Sequence, residues 1–223
     1  MNKILKLVTG LLVMSILMVS CMSFDEMNTD PTRLNKANPG TFLNPVLYGM
    51  AAYNWNRYNS YTFDLMQCRV STSSTNGLGW YYVSDGAGDG TWNNYYKWLN
   101  NIREIEDRAI ELNEPNYQAV AIVLRSWIYQ ILTDAFGNIP MSEASQGEEG
   151  VFTPKFDTQQ EIYRKIIDDL AEANTLFDES KGLKYNQDGE LLYKTNNSQI
   201  DGIKNWKKFC NSLRLRVLLR VLS

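Results

Sequence analysis

Apolar residues recur with a helical period in four long segments of this chain, and polar runs separate them. Between Tyr117 and Leu132 the apolar positions are Tyr117, Val120, Ala121, Leu124, Trp127, Ile128, Ile131 and Leu132, one buried face of a helix. Gln118, Arg125, Ser126 and Gln130 fall on the other side. Gly137 is placed to close this helix in a left-handed conformation, and Pro140 prevents its resumption. Upstream, Tyr95, Trp98, Leu99, Ile102, Ile105, Ala109 and Leu112 give a second helix over 92–112, with Asn94, Lys97, Asn101, Arg103, Glu104, Asp107 and Arg108 opposite. Glu104 and Arg108 lie one turn apart as a solvated pair. The short connector Asn113-Glu114-Pro115-Asn116 predicts that these two helices form an antiparallel hairpin. A third helix follows Thr158-Gln159-Gln160-Glu161, whose spacing is that of a capping box, and buries Ile162, Tyr163, Ile166, Ile167, Leu170, Ala173 and Phe177. The fourth spans 203–222, with Trp206, Cys210, Leu213 and Val217 on one face.

Weaker periodicity at Phe42, Leu43, Val46, Leu47, Met50 and Ala51 predicts a further helix, and 58–69 reads as a separate helical segment. Strand patterns are scarce; Lys184 to Lys194, with Asp188-Gly189 in the middle, is a candidate small hairpin. The pattern is therefore mainly all-α, with long irregular loops. The longest, 70–90, has polar glycine-rich ends around Leu78-Gly79-Trp80-Tyr81-Tyr82-Val83. Its Gly-rich tail lacks the Lys-Ser/Thr of a phosphate loop. Gly147-Glu148-Glu149-Gly150 is an exposed acidic loop.

The N-terminus adds a different kind of information. Lys3 and Lys6 precede an apolar stretch, Leu7 to Val19, which is shorter than the roughly 20 residues a bilayer span needs and has the length of a signal peptide core. Residues 1–20 thus read as a secretory signal ending at Met18-Val19-Ser20-Cys21, a lipobox-like sequence with Met18 where Leu is usual. Cys21 is the candidate lipidation site; an ordinary cleaved signal or an N-terminal anchor are the alternatives. Residues 21–39 are polar and turn-rich, with Asn28-Thr29-Asp30-Pro31 and Asn38-Pro39-Gly40, as in a tether.

The chain has 22 Lys+Arg and 25 Asp+Glu, and losing Lys3 and Lys6 with the signal leaves 20 against 25, a net charge of −5. That balance argues against a nucleic-acid partner, which needs clustered Lys and Arg. Cys68 and Cys210 are no disulfide framework, and Cys210 reads as a buried free thiol. With no histidine, His-dependent nucleophilic catalysis and the usual zinc sites are excluded, and neither a cofactor nor a metal is expected. A carboxylate pair for glycoside hydrolysis remains as an alternative, drawn from Asp64, Asp85, Asp89 and Asp134. No spacing singles out such a pair, and Asp134 reads as the acceptor of a backbone amide.

Leu132-Thr133-Asp134-x-Phe136-Gly137-x-Ile139-Pro140-x-Ser142-Glu143-Ala144 resembles the signature of the SusD/RagB family of outer-membrane nutrient-binding lipoproteins. Phe24 to Pro31, with Asp25-Glu26 like a surface-export signal, Pro154 to Tyr163, and Trp206-Lys207-Lys208-Phe209 with Asn211 to Arg216 are similar to further family segments. The resemblance covers essentially the whole chain but about the first half of a family member. It implies a stack of TPR-like helix pairs, 92–112 with 117–133 and 158–177 with 203–222, although the TPR consensus itself is not recognisable. Residues 40–223 are then the N-terminal part of such a domain, incomplete, since the last helix ends in Leu215, Val217, Leu218, Leu219, Val221 and Leu222 without a cap. Its basic residues leave an interfacial membrane helix as the other reading.

The function this implies is capture of a nutrient, an oligosaccharide foremost, at the outer surface of the outer membrane. Delivery would be to a SusC-type TonB-dependent transporter. A structural or adhesive surface lipoprotein is the alternative of another class. For the ligand site, Trp80 and Tyr81 are the leading candidates, with Asn76, Asp85 and Trp92 in support. Flat aromatic faces stack on sugar rings, and glycines flanking Trp80 allow close approach. The competing reading tucks these rings beneath the loop as a satellite cluster.

Overall fold

The computed structural model describes residues 37–69 and 78–222; the signal, Cys21, the tether to residue 36, the loop head 70–77 and with it Asn76 lie outside them. Helix α1, Pro39–Arg57, begins where the sequence reads a turn. The Asn38 side chain accepts the Thr41 amide at 3.1 Å, and Pro39 occupies the first helical position, where no N–H is needed. Nor does α1 end before a second helix: it runs directly into a π-helical turn at Tyr58–Thr62 and a last turn at Phe63–Leu65. Leu43, Val46, Leu47 and Met50 form its buried face.

Helices α2, Asp89–Glu111, and α3, Pro115–Phe136, are joined by residues 112–114 and pack side by side as the antiparallel hairpin the connector predicts. The predicted face of α2 is buried except at Leu112, which caps the helix and is exposed. Helix α3 departs further from a two-sided pattern. Ser126 and Gln130, expected on a solvated face, are fully buried, because α2, α4 (Gln159–Leu176) and α5 (Asp201–Leu222) all pack against it. A helix covered on all sides is the centre of the core. Its Arg125 is neutralised there by Glu106 of α2 and by Asp169 of α4 at 3.1 Å. α4 pairs with α5, so both predicted helix pairs are present, and α1 packs on α2 with Gly49 beneath the Trp98 ring. Cys210 is buried, with its thiol 3.2 Å from the Leu170 carbonyl. Leu215, Leu219 and Leu222 are exposed.

Among the described residues there is no strand, and 184–194 is not a hairpin. Its organiser is the buried carboxylate of Glu190, which accepts the amides of Leu192 (2.5 Å), Tyr193 (2.7 Å) and Thr195 (3.2 Å). Amides drawn to one point cannot form a ladder. The isolated β-bridge in the described residues joins Ile139 to Asp157. Around it the segment after α3 is latched to the entry of α4. Asp157 accepts the Met141 and Ser142 amides (2.9 and 2.7 Å) and the Ser142 hydroxyl (2.8 Å). Gln159 donates to the Asn138 side chain (3.0 Å) and the Thr133 carbonyl (2.8 Å), and Glu143 accepts the Lys155 amide (2.9 Å). Gly137 ends α3 at φ 76°, ψ −116°, a positive-φ region open to glycine rather than the left-handed helical well. Thr158 and Glu161 complete both bonds of the capping box.

Candidate ligand-binding site

The loop between the extended end of α1 and the start of α2 carries the exposed aromatic rings. It is built from a 3₁₀ turn at Leu78–Trp80, Tyr81 at φ 58°, and a turn in which the Ala87 amide reaches the Ser84 carbonyl at 3.0 Å. Positive φ is uncommon for a bulky residue and is tolerated where surroundings enforce it. Trp80 is 65% exposed, and Tyr81 and Tyr82 are each 66% exposed. The rings therefore face solvent rather than tucking under the loop.

Behind this loop lies a cleft of ≈ 500 Å³. Tyr53, Arg57, Tyr58 and Tyr61 come to it from α1 and its π turn, Ser84 and Asp85 from the loop, Tyr95 from α2, and Ile131 and Phe136 from the end of α3. Several of these are fixed by their own bonds. The Arg57 guanidinium lies 3.7 Å from the Tyr61 ring centroid and donates to the Ala87 carbonyl at 2.8 Å, tying the loop to α1. Tyr53 and Thr91 share a hydroxyl hydrogen bond at 3.0 Å, and Tyr95 donates to Asn54. Burial pushes the Tyr95 phenol well above its usual range, so it is a neutral donor at any physiological pH. Gly88 lets the loop press on α3, since a Cβ there would sit 2.8 Å from the Phe136 ring.

The sequence candidates separate on this geometry. Asp85 is an exposed carboxylate lining the cleft, and Trp80 and Tyr81 project from the same loop outside the cleft's lining. Trp92 is half-buried, 5.3 Å from Phe136 edge to face and 6.2 Å from Phe156 in a stacked pair, so it is a supporting ring beside the cleft. Arg57, Tyr58 and Tyr61 escaped sequence reasoning. The spacing Tyr53, Arg57, Tyr61 is a helical one-face signal that could have raised them, had α1 been read as continuous.

Two of the candidate acids are engaged in ion pairs. Asp64 is held by Arg69 at 2.9 and 3.0 Å, and that hydrogen bond lowers its carboxyl pKa. Asp134 accepts the Tyr163 hydroxyl and pairs with Arg220 at 3.1 Å, so its partner is not a backbone amide; Asp157 has that role. A larger cleft of ≈ 570 Å³ lies between α2, α4 and the latch. There Arg125, Lys165, Glu106 and Asp169 neutralise one another, and no exposed aromatic face is offered to a ligand.

The helix-pair stack thus presents, on the loop between α1 and α2, exposed rings beside a cleft lined by aromatic and hydrogen-bonding side chains, the kind of concave surface in which small ligands are generally held. Comparison with known proteins is specific about which scaffold. The SusD-like family described as "Starch-binding associating with outer membrane" matches residues 31–223, and the chain belongs to that family. Among solved structures, a SusD homolog from Bacteroides fragilis NCTC 9343 shares 25% identity at a TM-score of 0.61, over 82% of this chain and 35% of its own. A chitin-binding protein shares 28% at 0.63 over 82% and 39%, and a SusD-like protein from Bacteroidetes AC2a shares 29% at 0.64 over 82% and 33%. The chain thus spans between a third and two fifths of the length of these structures. None of the curated proteins matches it.

Proposed function

We propose that this protein is a non-catalytic, surface-exposed lipoprotein of the outer membrane that binds an oligosaccharide and delivers it to a SusC-type TonB-dependent transporter. The observation that carries the binding step is the exposed pair Trp80 and Tyr81 on a loop whose base forms the Tyr58, Tyr61 and Asp85 cleft. Trp80 and Tyr81 stack on pyranose faces, Asp85 accepts sugar hydroxyls, and Trp92 with Phe136 supports the wall. Asn76, six residues before Tyr82 on the same loop, is the remaining polar candidate. The family's outer-membrane description and the chitin-binding neighbour support the location and the ligand class.

The binding step is tested in the full-length protein by titration calorimetry against a glycan panel. Trp80→Ala should weaken binding about ten- to a hundredfold, since a stacked ring is worth about 1–3 kcal/mol by analogy with base stacking. Circular dichroism should be unchanged. Affinity equal to wild type would remove Trp80 from the site. The anchor is Cys21, after a hydrophobic stretch too short to span. Cys21→Ala should move the protein out of the membrane fraction and abolish the mass of an acylated N-terminus; unaltered fractionation and mass would refute lipidation.

A further inference from the structure

We infer that the cleft selects glycans that carry an anionic substituent, and that Arg57 is the residue that reads it. The inference rests on the glycan-binding reading above and specifies the ligand class for that site. Arg57 and Asp85 are, among the described residues, the one cation and the one anion lining the cleft. Arg57 has no carboxylate within ion-pair distance among the described residues; it meets the Tyr61 ring and the Ala87 carbonyl. Arg164, Arg214 and Arg216 likewise have no carboxylate within ion-pair distance among the described residues, but none of them lines this cleft. Arg69, Arg103, Arg108 and Arg125 each hold an acidic side chain.

The arrangement around Arg57 suits an incoming anion. One Nη2 donor is spent on Ala87, and the Tyr61 ring 3.7 Å from the guanidinium restrains it further, which leaves the other N–H donors of this cleft-lining side chain as a fork for a ligand. Such a fork binds a planar carboxylate or a sulfate ester through paired, charge-assisted hydrogen bonds. The half-buried position beside Tyr58, Tyr61 and Tyr95 lowers the local dielectric and strengthens the contact. A neutral sugar would leave this fork to water. A uronate or a sulfated sugar satisfies it while its ring packs against the flanking phenols.

Titration calorimetry of the full-length protein with four probes tests this: tetragalacturonate, its methyl ester, a sulfated chondroitin tetrasaccharide and maltotetraose. The methyl ester keeps the shape of the acid and removes its charge. Tetragalacturonate should bind about ten- to a hundredfold tighter than its ester, the range of a charge-assisted contact, and the advantage should shrink as salt is raised. Arg57→Gln should collapse the acid-to-ester ratio to about one, and Arg57→Lys should restore part of it, because an ammonium supplies charge without the fork. Comparing the galacturonate with the sulfated probe tells which anion is preferred; tight binding of either supports the inference. A wild-type ratio near one, with the sulfated probe no tighter than maltotetraose, overturns it. So does an unchanged ratio in Arg57→Gln, which would make Arg57 only the brace of the Ala87 loop. Failure of all four probes to bind overturns the glycan reading itself and this inference with it.

Discussion

At the scale of single residues, Asp157 shows what a helical pattern hides. It lies outside any helix, in a run that sequence reading treats only as a match to a family segment. In the structure its carboxylate gathers three donors from Met141 and Ser142 and is nearly buried. Burial pushes its pKa up, but the Ser142 amide and hydroxyl and the Met141 amide outweigh that and hold it below the ordinary carboxylate range. A depressed folded-state pKa gives stability that is fully present above the unfolded value and lost as pH falls through the folded one. Asp157→Asn should therefore destabilise the fold at neutral pH by about 1–3 kcal/mol. It should also flatten the loss of stability below about pH 4, the range in which an unfolded aspartate titrates. Urea melts at neutral and acid pH check both; equal midpoints for variant and wild type at neutral pH would deny the carboxylate its role. Ser126 and Gln130 carry the opposite lesson. Their polarity made them look solvated, yet they are buried, and neither the Ser126 hydroxyl nor the Gln130 amide has a protein partner among the described residues. A helix enclosed by three others gives no periodic sign of which of its polar positions are inside.

Among the elements, α2, α4 and α5 were legible because each has one neighbour-facing stripe and a polar reverse. The Thr158 and Glu161 box marked the start of α4 to the residue. α1 was broken in two by its Asn-rich, tyrosine-rich middle and by the π turn, which shifts the apolar phase and has no fixed sequence signature. The supposed hairpin at 184–194 failed because Glu190, a side chain rather than a ladder, satisfies its amides. The family signature and the later match at 154–163 turn out to be the two halves of one latch, a link visible only in space. Gly137 is its hinge point, and its backbone angles carry the cost of any side chain there. No atom lies within 4 Å of a Cβ built on Gly137, so crowding is not the obstacle. Gly137→Ala should still cost about 1–3 kcal/mol through backbone strain. Gly147→Ala, where space is equally open and no positive φ is recorded, should be near neutral. Thermal melts of the two variants decide it: equal melting temperatures would show that the conformation at Gly137 is not enforced.

For the whole molecule, the candidate site is assembled from stretches that lie far apart in the chain: Tyr53 to Thr62, Val83 to Tyr95, and Ile131 to Phe136. Sequence reading found the loop that carries Trp80, Tyr81 and Asp85, since an aromatic run in a polar loop stands out from core periodicity. It missed Arg57, Tyr58 and Tyr61, whose place in the cleft follows from α1 continuing past its expected end and meeting the close of α3. The reading of a binding lipoprotein depends on these two surfaces, exposed rings and aromatic cleft, acting on one ligand. The most direct measurement is a crystal structure of the full-length protein with an oligosaccharide it binds in solution. A sugar ring stacked on Trp80 or Tyr81, with its chain or substituents entering the cleft beside Arg57 and Asp85, is the predicted result. A sugar ordered elsewhere on the protein, with those rings and the cleft untouched, would contradict the account.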